Sequence, residues 1–147
     1  MPSVVLPDPR DAAKLWLAKA QENVQAAAAC CPYFPNAVAN RSYYAAFQAV
    51  VALFRIHRLE HKLKRGDDGG EPRYNHVRVQ EEFLSPSAPG NVAREVKVAF
   101  MGLKVERIRA DYEEVDVEVT KAKECVAKAD RVVRGIDPLV RRVTTTR

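Results

Sequence analysis

Apolar residues recur at helical spacing along most of the chain, and the first such segment has clear ends. Asp8 can cap a helix through its carboxylate, and Pro9 suits the first helical position. The apolar residues that follow are alternately four and three positions apart, so they share one helix face: Ala13, Leu17, Ala20, Val24, Ala27 and Cys31. The pattern predicts an amphipathic helix that begins behind Asp8 and ends before Pro32.

The second segment, which Asn36 can cap, runs to about Glu60 and is apolar around almost its whole circumference. A helix that is apolar on every side is packed on every side, so this segment is the predicted central helix. From His61 to Tyr74 the periodicity stops in a charged stretch with three glycines, which predicts a flexible loop.

Three further helices are predicted after the loop. Asn75 is the expected cap of a short helix to about Leu84, and Asn91 is the expected cap of a fourth helix. From Val115 to Val119 valines alternate with acidic residues, as in a strand, but helical spacing continues to Ile136. We therefore expect a fifth helix there, with Gly135 and Pro138 at its end.

These elements predict an all-α fold, an up-and-down bundle of four long helices and one short helix. A chain of 147 residues has the length of one domain. We expect residues 8–136 to form the bundle and residues 1–7 and 137–147 to be flexible termini.

Composition excludes several classes of protein. No run of about 18 uncharged apolar residues exists, and the chain start lacks a signal-peptide pattern, so we expect a cytoplasmic protein without a membrane span. The three cysteines include no C-x-x-C pair, so neither a zinc cage nor a disulfide framework is expected. The net charge of +5 permits an acidic partner such as RNA but does not require one, since basic loops and tails are usually only solvated.

Two histidine patterns lie at the end of the second helix. His57 to His61 fits the H-x-x-E-H arrangement of zinc proteases, and Arg55 with His61 fits the R-x(4–6)-H spacing of metal-independent RNases. The basic loop that follows would repel a divalent cation, and an Arg and a His at this separation arise easily by chance. A solvated helix end is the simpler interpretation, and neither a metal nor a cofactor is expected.

Polar residues in the first turns of the central helix are a stronger signal, since packing should dominate there. They are Asn40, Arg41, Tyr43 and Tyr44, of which Asn40 and Tyr44 lie one turn apart with Arg41 beside them. Arginine is rarely buried without a partner, and Asp111 near the end of the fourth helix can supply the carboxylate. An Arg41–Asp111 pair would either lock two helices together or form an anion pocket with three further residues: His76, Arg107 and Arg109.

At these positions the sequence resembles the HEPN family of helical domains. The matching stretches are Ala20 to Val24, Asn40-Arg41-Ser-Tyr43-Tyr44-Ala-Ala-Phe, His76 after the loop, and Arg109-Ala-Asp111-Tyr112. The resemblance implies a helical bundle, commonly a homodimer, often paired with a minimal nucleotidyltransferase in a toxin–antitoxin system. Many members are RNases with an R-x(4–6)-H motif near the end of the bundle.

The resemblance yields a leading expectation and two alternatives. No histidine follows Arg107 or Arg109, so we expect a non-catalytic or weakly catalytic dimer. It would bind a nucleotidyltransferase partner, a nucleotide or RNA as one half of a toxin–antitoxin-like pair. A metal-independent RNase toxin that uses His76 is the first alternative, and a non-catalytic dimerisation scaffold is the second. The candidate nucleotide- or RNA-binding residues are Asn40, Arg41, Tyr44, His76, Arg107, Arg109, Asp111 and Tyr112.

Overall fold

A computed structural model describes residues 8–65, 73–112 and 116–145, and in these ranges the chain is all-α. The elements are α1 (Pro9–Cys30), α2 (Pro35–Ile56), a 3₁₀ helix (Glu60–Leu63), α3 (His76–Leu84), α4 (Arg94–Tyr112) and α5 (Val119–Thr145). The predicted all-α class, with four long helices and one short helix, is confirmed. Residues 1–7 and residues 66–72 of the predicted loop, both expected to be flexible, lie outside the described residues, as does Val115.

Helix α2 is the centre of the bundle, as its apolar pattern predicts. It contacts α1, α3, α4 and α5, and fourteen of its residues are buried. Alanines that face the neighbouring helices, such as Ala45 and Ala49, are fully buried, and their small side chains let those helices approach closely. Larger side chains such as Leu53 and Phe54 fill the remaining space, and each contributes about 1.5–3 kcal/mol by leaving water.

Two of the predicted helix caps are confirmed. The Asp8 carboxylate accepts a hydrogen bond from the Arg10 backbone N–H at 2.8 Å, and Asn75 Oδ1 accepts one from the Arg78 N–H at 3.1 Å. Each bond satisfies a backbone donor that has no partner inside its helix. The same residue type does not cap α4, since Asn91 has a left-handed φ of 50° and the helix begins at Arg94.

The N-terminus of α2 also differs from the prediction. The helix begins at Pro35, so Asn36 lies inside its first turn and is not the cap. The Asn36 side chain instead accepts a hydrogen bond from the Val117 backbone N–H at 2.7 Å and donates one to Asp116 at 3.2 Å. Asn36 therefore connects the start of α2 to the segment that leads into α5.

At its other end α2 is shorter than predicted. The helix stops at Ile56, and the chain forms the 3₁₀ helix, whose Leu63 is fully buried. The last residue of the predicted loop, Tyr74, makes an edge-to-face contact with Trp16 on α1, with the ring centroids 5.6 Å apart. Buried apolar groups therefore hold part of the segment that the sequence indicated as a loop.

Helix α5 does not end at residues 135–138. It continues through Pro138 to Thr145, and Val140 beyond the proline is fully buried. Gly135 serves close packing and is no terminator, because a Cβ atom there would lie 2.6 Å from Val96 Cγ2. In the described part of the chain the helix thus extends beyond residue 136 to Thr145, where the sequence predicted a tail.

No helix in the part of the chain that the structure describes combines the length and the apolar character that a membrane span requires.

Candidate functional site

The candidate site surrounds Tyr43, which is fully buried where α2, α3 and α4 meet. Its hydroxyl oxygen accepts a hydrogen bond from Gln80 Nε2 at 2.9 Å and lies 3.2 Å from His76 Nδ1. A buried hydroxyl hydrogen needs an acceptor, so Tyr43 donates to His76 Nδ1. Because Nδ1 accepts this hydrogen bond, the single N–H proton of the neutral His76 ring lies on Nε2.

Aromatic rings enclose the His76 imidazole on several sides. Its centroid lies 4.7 Å from that of Phe47, 5.7 Å from that of Tyr44 and 5.8 Å from that of Tyr43. His76 begins α3, and the three other rings all belong to α2. The first residue of the short helix is therefore fixed against the central helix by both a hydrogen bond and ring contacts.

Arg107 on α4 forms the cationic part of the cluster. Its guanidinium carbon lies 4.9 Å from the Tyr43 ring centroid and 5.7 Å from that of Tyr44, within the range of cation–π attraction. Its Nε lies 3.5 Å from Asp111 Oδ2 and is buried without a hydrogen-bond partner among the described residues. Asn40 Nδ2 donates to the other Asp111 oxygen at 3.4 Å.

Burial changes the proton affinity of two groups in the cluster. It lowers the pKa of His76 below the ordinary value of 6.5, and the Arg107 charge lowers it further. It raises the pKa of Tyr43 above 10.0, although the Gln80 hydrogen bond and the Arg107 charge act in the opposite direction. At pH 7 the cluster therefore holds a neutral imidazole and a protonated phenol beside the Arg107 guanidinium.

A surface cavity of about 430 Å³ lies beside this cluster, between α1 and α2. Its lining consists of Asn23, Ala37, Asn40, Arg41, Tyr44 and Gln48. The Asn23 amide donates to the Gln48 side-chain oxygen at 2.7 Å, which fixes both groups. The Arg41 side chain is exposed, and the Tyr44 ring is 36% exposed. The cavity thus offers a solvated guanidinium, several amides and an accessible aromatic ring.

The structure brings together most of the candidate residues, but not with the predicted pairing. Asn40, Tyr44, His76, Arg107 and Asp111 form one contiguous group. The predicted Arg41–Asp111 ion pair is wrong, because Asn40 and Arg107 are the residues that contact the Asp111 carboxylate.

Two other candidates lie outside the group. Arg109 pairs with Glu106 at 3.7 Å, and its position two residues from Asp111 places it on nearly the opposite side of α4. Tyr112, at the end of α4, is 78% exposed.

Sequence reasoning missed four residues of the site. Gln80 follows His76 by four residues and so shares its helix face, which was an available signal. Gln48 is a polar residue among apolar neighbours in α2 and could have been recognised for that reason. Asn23 lies among the polar residues Gln21, Glu22 and Gln25, so the sequence does not distinguish it. Phe47 carries no such signal, because an aromatic residue in a central helix is ordinarily core.

Compared with models of protein families, with curated proteins and with solved structures, the chain matches none. Within the described ranges, no group of three or more His, Cys, Asp or Glu residues is arranged to hold a metal ion.

Proposed function

We propose that this chain is a HEPN-type helical protein that binds a nucleotide or RNA through the cavity between α1 and α2. The observation that carries the proposal is the composition of this cavity, where the Arg41 guanidinium, the Asn40 amide and the Tyr44 ring lie together. Guanidinium groups bind phosphate, amides bind base edges, and exposed aromatic rings stack on bases. The resemblance of the sequence to the HEPN family supports the same class of ligand.

The residues have distinct roles in this proposal. Arg41 contacts a phosphate, and Tyr44 stacks on a base or contacts the ribose. The cluster of His76, Arg107 and Asp111 holds Tyr44 and Asn40 in position through the contacts described above. Arg109 and Tyr112 lie further along α4 and contact only a longer RNA.

The experiment that tests the proposal is a titration with AMP, ATP and short single-stranded RNA. Replacing the exposed Arg41 by alanine should leave the unfolding temperature unchanged and weaken binding about tenfold, since a charge-assisted hydrogen bond contributes about 1.5–3 kcal/mol. Arg134→Ala removes an exposed arginine from α5 and should not weaken binding. Equal affinities for the Arg41→Ala and unmodified proteins would contradict the proposed cavity.

We further propose that the protein is a homodimer and one half of a toxin–antitoxin-like pair with a minimal nucleotidyltransferase. The support for this part is the sequence resemblance alone. A tagged protein purified from its native cells should carry the nucleotidyltransferase, and light scattering should give twice the mass of one chain. Recovery of the dimer without an enzyme or nucleic acid would favour the dimerisation scaffold.

A metal-independent RNase is the second candidate, and the neutral His76 imidazole near the Arg107 charge favours it. In the tautomer described above, Nδ1 accepts from Tyr43 and Nε2–H can donate to a phosphate oxygen of RNA. Acceptance of a ribose proton at Nε2 requires the other tautomer, in which Nδ1–H donates to the Tyr43 hydroxyl oxygen. The RNase hypothesis predicts RNA cleavage that persists in EDTA and is lost in His76→Asn. Asparagine keeps an acceptor for the Tyr43 hydroxyl, so this variant should remain folded. Intact RNA at high concentration of nuclease-free protein would exclude the activity.

A further inference from the structure

Helix α4 exposes a continuous apolar stripe on the side that faces away from α2. Val98, Met101, Val105 and Ile108 are 55%, 50%, 53% and 42% exposed, and we call them the α4 seam. They are spaced three, four and three residues apart, so they form one line along the helix. Single exposed apolar residues are ordinary, but a stripe of this length indicates a contact surface.

Two cavities flank the seam and give the surface a concave profile. One, of about 730 Å³, lies between α4 and α5 and is lined by Arg94, Glu95, Val98, Ala99, Gly102, Glu124, Ala127, Lys128 and Arg131. The other, of about 550 Å³, is lined by Leu84, Arg94, Lys97, Val98, Met101, Gly102 and Val105. A ridge between two grooves is the surface against which another helix packs. A flat lipid surface would fill neither groove.

The rim of this surface carries an excess of positive charge. Four cations line the cavities, Arg94, Lys97, Lys128 and Arg131, against the two carboxylates of Glu95 and Glu124. Glu124 already has Lys121 within 3.4 Å. Lys97 donates to the Ser85 carbonyl oxygen at 3.2 Å, and within the described ranges none of the four cations has a carboxylate partner. A second copy of this chain would bring the same cations face to face.

We propose that the α4 seam and its two grooves bind an amphipathic helix of another protein, with apolar residues at matching spacing and carboxylates along both edges. The apolar face would cover the seam, and the carboxylates would pair with the four rim cations. The surface lies on the opposite side of α4 from Arg107, so this interaction is separate from the nucleotide- or RNA-binding cavity.

The test uses two fluorescent peptides of about 18 residues, which form helices of about five turns. Both carry leucines at alternating spacings of three and four, and the flanking positions are glutamate in one peptide and lysine in the other. The full-length protein should bind the acidic peptide at least tenfold more tightly than the basic peptide. Replacing Lys97 and Lys128 by glutamate should reverse this preference, because the rim then carries net negative charge.

Val105→Asp should abolish binding of the acidic peptide, whereas Val77→Asp should not. Val77 is 58% exposed on α3, so its replacement is a comparable change on another surface. Arg41→Ala should also leave peptide binding unchanged, which separates this proposal from the proposed function.

Four results would overturn the proposal. Equal binding of the two peptides, or binding of neither, would remove the acidic helix as the occupant. A dimer that Val105→Asp converts to a monomer would assign the seam to a second copy of the chain. Binding to vesicles with anionic lipid that depends on Val105 would assign the seam to a membrane surface.

Discussion

At the residue scale, the Tyr43 side chain connects the three helices of the candidate site, through its hydroxyl to α3 and through its ring to α4. It accepts from Gln80 and donates to His76, while Arg107 lies over the face of its ring. All of these contacts occur inside the protein, where an unpaired polar group costs more than a hydrogen bond contributes. Tyr44, the next residue, faces the cavity and is free to meet a ligand. Adjacent tyrosines thus divide structural and binding roles between them.

Removing the Tyr43 hydroxyl should destabilise the fold. Tyr43→Phe leaves the Gln80 amide and the His76 imidazole without their shared partner, which should lower the free energy of unfolding by about 1–3 kcal/mol. Urea denaturation measures the change. Tyr44→Phe, where the ring is partly exposed, should change the same quantity by less than about 0.5 kcal/mol. Similar stabilities for the two variants would show that the hydrogen bonds around Tyr43 contribute little.

The stability of the fold should fall as the pH drops below about 6.5. Burial lowers the pKa of His76 and of His57 in the folded chain, so the unfolded chain binds protons more readily. The stabilisation is therefore complete above the ordinary pKa of 6.5 and is lost as the pH falls through the folded values. Denaturation measured between pH 7.5 and pH 5 should show the decrease.

His76→Asn should remove part of this pH dependence and His57 should supply the remainder. An unfolding free energy that stays constant over the same pH range would contradict the assignment of His76 as a neutral, hydrogen-bonded imidazole.

At the element scale, the same residue type can begin or end a helix at one position and not at another, because tertiary contacts determine where each helix begins and ends. Asn75 caps α3, but Asn91 turns the chain with positive φ three residues before α4 begins. Pro138 lies inside α5, although proline in a helix interior costs about 3 kcal/mol. Burial of Ile136 and Val140 on either side of it favours continuation of the helix.

Two helical glycines should respond oppositely to substitution by alanine. A Cβ atom at Gly135 would lie 2.6 Å from the branched Val96 side chain, so Gly135→Ala should destabilise by about 1–3 kcal/mol. At Gly102 the nearest atom is Lys128 Nζ, the mobile end of a long side chain, at 2.9 Å. Gly102→Ala should therefore gain up to about 1 kcal/mol from helix propensity. Thermal unfolding of both variants measures the difference, and two changes of the same sign would contradict it.

At the scale of the whole molecule, the sequence predicted the class and order of elements but not the contacts between distant residues. Helical periodicity identified the central helix because burial on all sides leaves a pattern within one segment. Periodicity within one segment could not predict which residue of α2 contacts the Asp111 carboxylate. Asn40 and Arg41 are adjacent in the chain, and only the rotation of α2 against α4 determines which side chain reaches the carboxylate.

The C-terminal part of α5 should be required for stability. Val140 is fully buried, and Leu139 lies near Gly90, where a Cβ atom would be 3.5 Å from Leu139 Cδ1. A chain that ends after Ile136 should lose at least about 2 kcal/mol of unfolding free energy, and Val140→Ala alone should lose part of that amount. Arg142→Ala, at an exposed position, is the control. Unchanged stability of the shortened chain would restore the predicted boundary at residue 136.

The contact between Trp16 and Tyr74 gives the molecule an intrinsic optical reporter. Trp16 is the single tryptophan of the chain, is partly buried, and has Lys19 Nζ 5.0 Å from its ring centroid. Its emission wavelength and quenching therefore reflect one place, where α1 meets the residue that follows the glycine-rich stretch. Fluorescence from this indole therefore reports whether Tyr74 packs against α1 at that end of the bundle. The candidate site around Tyr43 contributes no tryptophan signal of its own.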